Sequence, residues 1–114
     1  LRDEGYPACL EWEIKGYESW LRAYPLSEHS EEVERKLAKL YLEVAERYQE
    51  DRPWNSSIKS ELLRGQAWMI AGDMLEEKTP PAFRAWARDF RREIERSGQL
   101  FSIVPEYAYQ EDAR

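Results

Sequence analysis

Residues that commonly perform catalysis or bind metals are scarce in this sequence of 114 residues. It has one cysteine, Cys9, and one histidine, His29, so an internal disulfide is excluded and a structural zinc site lacks its four ligands. No nucleophile motif surrounds Cys9, and a histidine just after Ser27 is typical of a helix start. We therefore predict no catalytic residue and no metal ligand. A lone cysteine also favours a reducing compartment, and we predict a cytoplasmic protein.

Glycine-rich loops and long apolar segments are also absent. The five glycines are isolated from one another, which excludes a phosphate-binding loop, and the ExxH pattern of di-iron bundles is missing. The longest apolar stretch, residues 67–75, is interrupted by Gly72 and Asp73 and is too short to span a bilayer. We predict no cofactor and no membrane span. Because residue 1 is a leucine, the sequence leaves open whether a residue or a leader precedes it.

The composition is that of one folded domain. Hydrophobic residues make up 42% of the chain, charged residues 35% and aromatic residues 13%, which is unlike a disordered segment. The net charge of −6 argues against a nucleic-acid binder as a whole molecule. That charge is uneven, however: residues 1–51 hold seven Lys or Arg and thirteen Asp or Glu, whereas residues 52–114 hold ten of each. The net charge therefore does not argue against nucleic-acid binding by residues 52–114.

Two amphipathic helices are predicted in the first half. Apolar side chains at three- and four-residue spacing predict a helix over residues 8–24, ended by Pro25, and Trp12 and Gly16 on its opposite side predict a second contact. A second helix begins after Ser27 or Ser30. Its predicted buried stripe is Val33, Leu37, Leu40, Tyr41, Val44 and Tyr48. Leu42 lies off this stripe and is predicted to be exposed.

The third predicted helix, over residues 57–77, is apolar on nearly every side. Ile58, Leu62 and Met69 share one side, and such a helix is either central in the fold or covered by a partner. Gly65 and Gly72 favour close packing against a neighbour. Asp73 interrupts the apolar pattern, and a structural partner or an exposed position is favoured there over a catalytic acid.

The fourth predicted helix starts with Thr79 as its cap and Pro80 at its first position, and Gly98 closes it in the left-handed conformation. Residues 99–114 have no helical period and are predicted to form an extended arm, docked on this chain or on another. The predicted fold class is therefore all-α: a four-helix domain of two helical hairpins over residues 1–98, with an extended C-terminal arm over residues 99–114.

Two candidate surfaces follow from this arrangement. Aromatic and small residues outside the core stripes form a candidate partner interface: Trp12, Gly16, Trp54, Trp68, Phe101, Tyr107 and Tyr109. Arginines beside the aromatic stripe of the fourth helix form a candidate anion or nucleic-acid surface: Arg84, Arg88, Arg91 and Arg92. Glu95 lies on the same flank and Asp89 can pair with Arg92, so a partly neutralised, solvated face is the alternative.

A non-enzymatic interaction or assembly module, with a protein partner or as a homo-oligomer, is the function that this composition favours. A small helical nucleic-acid-associated subunit that uses the four arginines is the alternative. An enzyme would depend on Asp73 or on an encounter of Cys9 with His29.

Two segments resemble known proteins. Residues 17–48 contain an aromatic–Leu pair at Trp20 and Leu21, a Tyr-Pro-x-Ser turn from Tyr24 to Ser27, and a Leu-Ala-x-x-Tyr sequence ending at Tyr41. This pattern resembles the tetratricopeptide-type hairpins of BamD-like outer-membrane assembly lipoproteins, which implies a protein-binding scaffold without catalytic residues. The Leu-Arg-Gly-Gln sequence of residues 63–66 is similar to segments of small phage- and prophage-encoded proteins, which implies a phage or prophage accessory protein without indicating a mechanism.

Overall fold

A computed structural model of the chain describes residues 6–98 and contains four α-helices within them. The helices are α1 (Pro7–Ala23), α2 (Ser30–Gln49), α3 (Ser57–Asp73) and α4 (Pro81–Ser97). The described residues form no strand, so the predicted all-α fold class is confirmed. The predicted arm of residues 99–114, with Phe101, Tyr107 and Tyr109, lies outside the described residues.

Helix α2 occupies the centre of the fold, because it packs against α1, α3 and α4. The whole predicted α2 stripe except Val33 is fully buried. Leu42 is buried as well, so the prediction that it is exposed is wrong. The reason is that α4 covers this side of α2, where Leu42, Trp86 and Phe90 line one cleft. A helical wheel of the α2 sequence predicts one buried stripe. In the fold, three neighbouring helices pack on α2 and bury a wider face.

The helix ends agree in part with the sequence signals. His29 lies at the start of α2, as predicted, and Ser56 accepts a hydrogen bond from the Lys59 N–H of α3 at 3.2 Å. The predicted end of the third helix is wrong, because α3 ends at Asp73. Helix α4 begins at Pro81, one residue later than predicted, with Pro80 in the capping position.

Gly98 does not close α4 in the left-handed conformation, so that prediction is wrong. Its φ of −146° and ψ of 174° are those of extended backbone, which any residue can adopt. A Cβ atom at Gly98 would lie 2.5 Å from the guanidinium carbon of Arg64. The glycine therefore makes room for a buried side chain of α3.

Helices α1 and α2 are joined by two tyrosine–carboxylate hydrogen bonds. The Tyr48 hydroxyl donates to Glu11 at 2.9 Å, and the Tyr41 hydroxyl donates to Glu18. Both partners advance by seven residues, in opposite chain directions, as expected of two antiparallel helices. The two tyrosines were predicted to be buried, whereas the carboxylates that pair with them were not singled out.

The pairing of Tyr48 predicts a loss of stability at high pH. Burial, followed by the hydrogen bond to Glu11 and its negative charge, raises the pKa of Tyr48 to about 12. Because this pKa is higher in the folded state than in the unfolded chain, the contribution is complete below about pH 10 and falls as the pH rises through 12. Urea unfolding of the wild type and of Tyr48→Phe at about pH 9 and 11.5 measures it. We expect the variant to be less stable by about 1 kcal/mol at pH 9, and the difference to shrink at pH 11.5. A difference that is equal at both pH values would contradict this assignment.

None of the helices in residues 6–98 combines the length and the apolar character needed to cross a membrane.

Candidate protein-interaction surface

The outward side of α3 carries three large apolar side chains, which we call the α3 stripe: Ile58, Leu62 and Met69. Their exposed fractions are 71%, 64% and 48%. The fully buried residues of α3, Ser60, Arg64, Ala67 and Ala71, point the opposite way, towards α2 and α4. The domain therefore covers one side of α3 and leaves the apolar α3 stripe on the other side exposed.

A line of polar residues borders the α3 stripe. Lys59, Gln66 and Asp73 are all exposed and are spaced seven residues apart, which places them one above another on the helix. Asp73 thus occupies an exposed position at the end of α3, one of the two settings that the sequence favoured. An apolar stripe with a polar border is the usual composition of a protein-binding surface.

Helix α1 also has an outward side without a neighbour among the described residues. Trp12 is 76% exposed, and Gly16, Ser19 and Ala23 on the same side are exposed too. A Cβ atom at Gly16 would meet nothing within 4 Å. The predicted second contact of α1 is therefore not made by another helix of residues 6–98.

A cleft separates α1 from α3, because both pack on α2 but not on each other. Its volume is about 360 Å³. Helix α1 contributes Glu11, Ile14, Lys15 and Glu18 to the lining of the cleft, and α3 contributes Leu62, Leu63 and Gln66. Leu62 thus belongs both to the α3 stripe and to the edge of this cleft.

Two tryptophans of the predicted partner interface make contacts within the chain. The Trp54 Nε1 donates to the Arg47 carbonyl at 2.9 Å, and its ring lies 4.5 Å from that of Tyr6. The Trp68 ring lies 4.2 Å below the guanidinium of Arg91. Both tryptophans are half-buried and join elements of this fold, so they contribute less outward surface than the α3 stripe.

The four arginines of the candidate nucleic-acid surface are not presented as one set of exposed cations. Arg84 donates to the carbonyls of Glu77 and Thr79 at 2.7 and 2.9 Å, and Arg91 donates to the carbonyl of Trp68 at 3.2 Å. Arg92 pairs with Asp89 at 3.2 Å. Arg88 is exposed, and no ion pair within residues 6–98 involves it. Phosphate binding would have to compete with existing contacts at three of the four arginines.

A buried arginine that the sequence reasoning did not single out joins three helices. Arg64 is 2% exposed and donates to the Ser60 hydroxyl at 2.7 Å, to the Ser97 hydroxyl at 3.1 Å and to the Ser97 carbonyl at 3.2 Å. Ser60 in turn donates to the Ala45 carbonyl of α2 at 2.7 Å. Burial lowers the pKa of Arg64, and the negative charges of Glu46 and Glu61 oppose this shift. This arginine fixes the side of α3 that faces away from the α3 stripe.

The candidate catalytic residues do not form a site. Cys9 lies in the first turn of α1, whereas His29 follows the opposite end of that helix, which at 17 residues is about 25 Å long. Within residues 6–98, no three His, Cys, Asp or Glu side chains are placed to hold a metal ion.

Comparison with family models, curated proteins and solved structures finds no match for this chain.

Proposed function

We propose that this protein is a non-enzymatic helical interaction module that binds a protein partner, or a second copy of itself, through the α3 stripe. The exposure of Leu62, a large aliphatic side chain that is 64% accessible near the centre of α3, is the main observation behind the proposal. Burying a large aliphatic side chain stabilises a complex by about 1.5–3 kcal/mol. Three such side chains on one helix face provide a compact source of binding energy.

The proposal is also supported by the small share that the α3 stripe has in the core of the domain. The opposite side of α3 already packs on α2 and α4, where Arg64 makes two hydrogen bonds to Ser97 of α4 and Ser60 makes one to Ala45 of α2. A large apolar side chain that adds little to the core is free to serve in binding. The resemblance of residues 17–48 to a tetratricopeptide-type hairpin remains a prediction and agrees with a binding role.

The placement of the arginines of α4 supports an interaction module more than a nucleic-acid-associated subunit. Arg84 and Arg91 donate to backbone carbonyls of their own chain, and Arg92 faces Asp89. Affinity for nucleic acid comes largely from cations that are free to neutralise phosphates.

Site-specific cross-linking in the expressing cells tests this function. A photoreactive residue replaces Leu62, and a matched control replaces Gln49, which is exposed at the end of α2. We expect a defined protein adduct, with this chain or with another, at position 62 and not at position 49. Equal labelling at both positions, or none at position 62, would overturn the proposal.

A further inference from the structure

We propose that the α3 stripe pairs with the α3 stripe of a second copy of this chain, with the two helices antiparallel and centred near Gln66. This inference rests on the proposed function and names the occupant of the surface. It is carried by the arrangement of charge and of side-chain size along α3, both of which match their own image under a two-fold rotation.

The charges beside the α3 stripe are self-complementary. Lys59 and Asp73 lie seven residues on either side of Gln66, and all three are exposed. An antiparallel pair centred on Gln66 places Lys59 of each copy opposite Asp73 of the other, so two-fold symmetry forms the ion pair twice. A parallel pair would place like charges at the same level.

Neither Lys59 nor Asp73 is held in a close ion pair among residues 6–98, and the Asp73 carboxylate interacts with the Arg91 guanidinium of α4 only at longer range. The Lys59 ammonium lies 5.3 Å from the centre of the Tyr48 ring, and its exposed side chain can turn towards a partner. A different protein would need an acidic residue opposite Lys59 and a basic residue opposite Asp73. A second copy of this chain provides both by symmetry.

Side-chain size along the seam follows the same symmetry. Positions 58, 62, 65 and 69 alternate by four and three residues, which is the spacing of a coiled-coil seam. Gly72, the next position in this series, is covered by the Arg91 side chain of its own chain. With Gln66 at the centre, Gly65 of one copy lies within two residues of the level of Gly65 of the other, and Leu62 lies within one residue of the level of Met69. Two positions without side chains therefore meet at the centre, and large side chains meet on either side. This match allows the two helices to approach closely at the centre of the contact.

The length of the contact predicts a weak complex. From Ile58 to Asp73 the helix rises about 22 Å. A stable interface buries about 800 Å² of surface on each partner, and one helix face of this length buries less. We therefore expect association in the micromolar range.

Sedimentation equilibrium of the whole chain, from about 5 to 500 µM and with a reductant because Cys9 is exposed, tests the pairing. The variants are Lys59→Glu, Asp73→Lys and the two combined. We expect a wild-type dimer, a dissociation constant raised about tenfold by each single change, and a combined variant within about threefold of the wild type. Thermal unfolding of each variant verifies that it is folded.

Cross-linking gives an independent readout of orientation. In a Cys9→Ser background, a short bis-maleimide should link Gln66→Cys chains, because position 66 lies at the two-fold axis. It should not link Lys59→Cys chains, whose cysteines lie at opposite ends of the antiparallel pair. Dimers linked through position 59, or a combined charge variant that fails to recover, would overturn the antiparallel arrangement.

A wild-type monomer across the whole concentration range would overturn self-pairing. Cross-linking of position 62 to a different protein in cells would then still support the interaction module, whereas its absence would remove both proposals.

Discussion

Replacing Arg64 by alanine is expected to lower the free energy of unfolding by about 3 kcal/mol. The change opens a cavity among α2, α3 and α4, and it leaves the Ser97 carbonyl and hydroxyl without the donors that Arg64 supplies. Each buried polar group that loses its partner costs about 1–3 kcal/mol, and the cavity adds to this cost. Urea unfolding followed by circular dichroism measures the loss.

Two further variants separate the causes. Arg64→Met fills most of the volume without donating hydrogen bonds. We therefore expect its free energy of unfolding to lie between those of the Arg64→Ala variant and the wild type. Arg88→Ala removes an exposed arginine of α4 and should change the stability by less than about 0.5 kcal/mol. An Arg64→Ala protein as stable as the Arg88→Ala protein would contradict a role for Arg64 in joining the helices.

Replacing Leu62 by aspartate is expected to abolish association while leaving the fold intact. A carboxylate at the centre of the α3 stripe would have to be desolvated in any complex, so the dissociation constant should rise by about a hundredfold or more. The free energy of unfolding should change by less than about 0.5–1 kcal/mol, because Leu62 is mostly exposed in the single chain. Sedimentation measures the first quantity and urea unfolding the second.

The matched control is Leu26→Asp. Leu26 is 96% exposed and lies in the turn between α1 and α2, so it is not part of the α3 stripe. The Leu26→Asp variant loses the same kind of apolar side chain and gains the same charge as Leu62→Asp. We expect its dissociation constant to equal that of the wild type. If both variants associate as the wild type does, the α3 stripe is not the binding surface.

The sequence predicted the four helices and most of the α2 core, because apolar spacing in a long amphipathic helix reports directly on burial. It did not predict the burial of Leu42, since that depends on where α4 packs. Arg64 was missed for a related reason. An arginine between apolar residues gives no signal of burial until Ser60 and the end of α4 are brought to it by the fold.

Only part of the candidate surface could be predicted from the sequence. The apolar character of α3 on all sides indicated either a central or a covered helix, and the structure assigns the centre to α2 instead. Trp12 and Gly16 are exposed as an interface requires, whereas Trp54 and Trp68 contact their own chain. When an aromatic residue lies outside the predicted core stripes, the sequence does not show whether a loop or a side chain of the same domain covers it.

The separation of α1 from α3 bears on how the chain folds. Apart from a small contact between α2 and α4, each helix packs on its neighbour in sequence, α1 on α2, α2 on α3 and α3 on α4. Contacts between sequence neighbours close short loops, and proteins built from them fold within microseconds to milliseconds. The α1–α2 hairpin can therefore form before α4 has been synthesised, and each later helix can dock on a surface that is already in place.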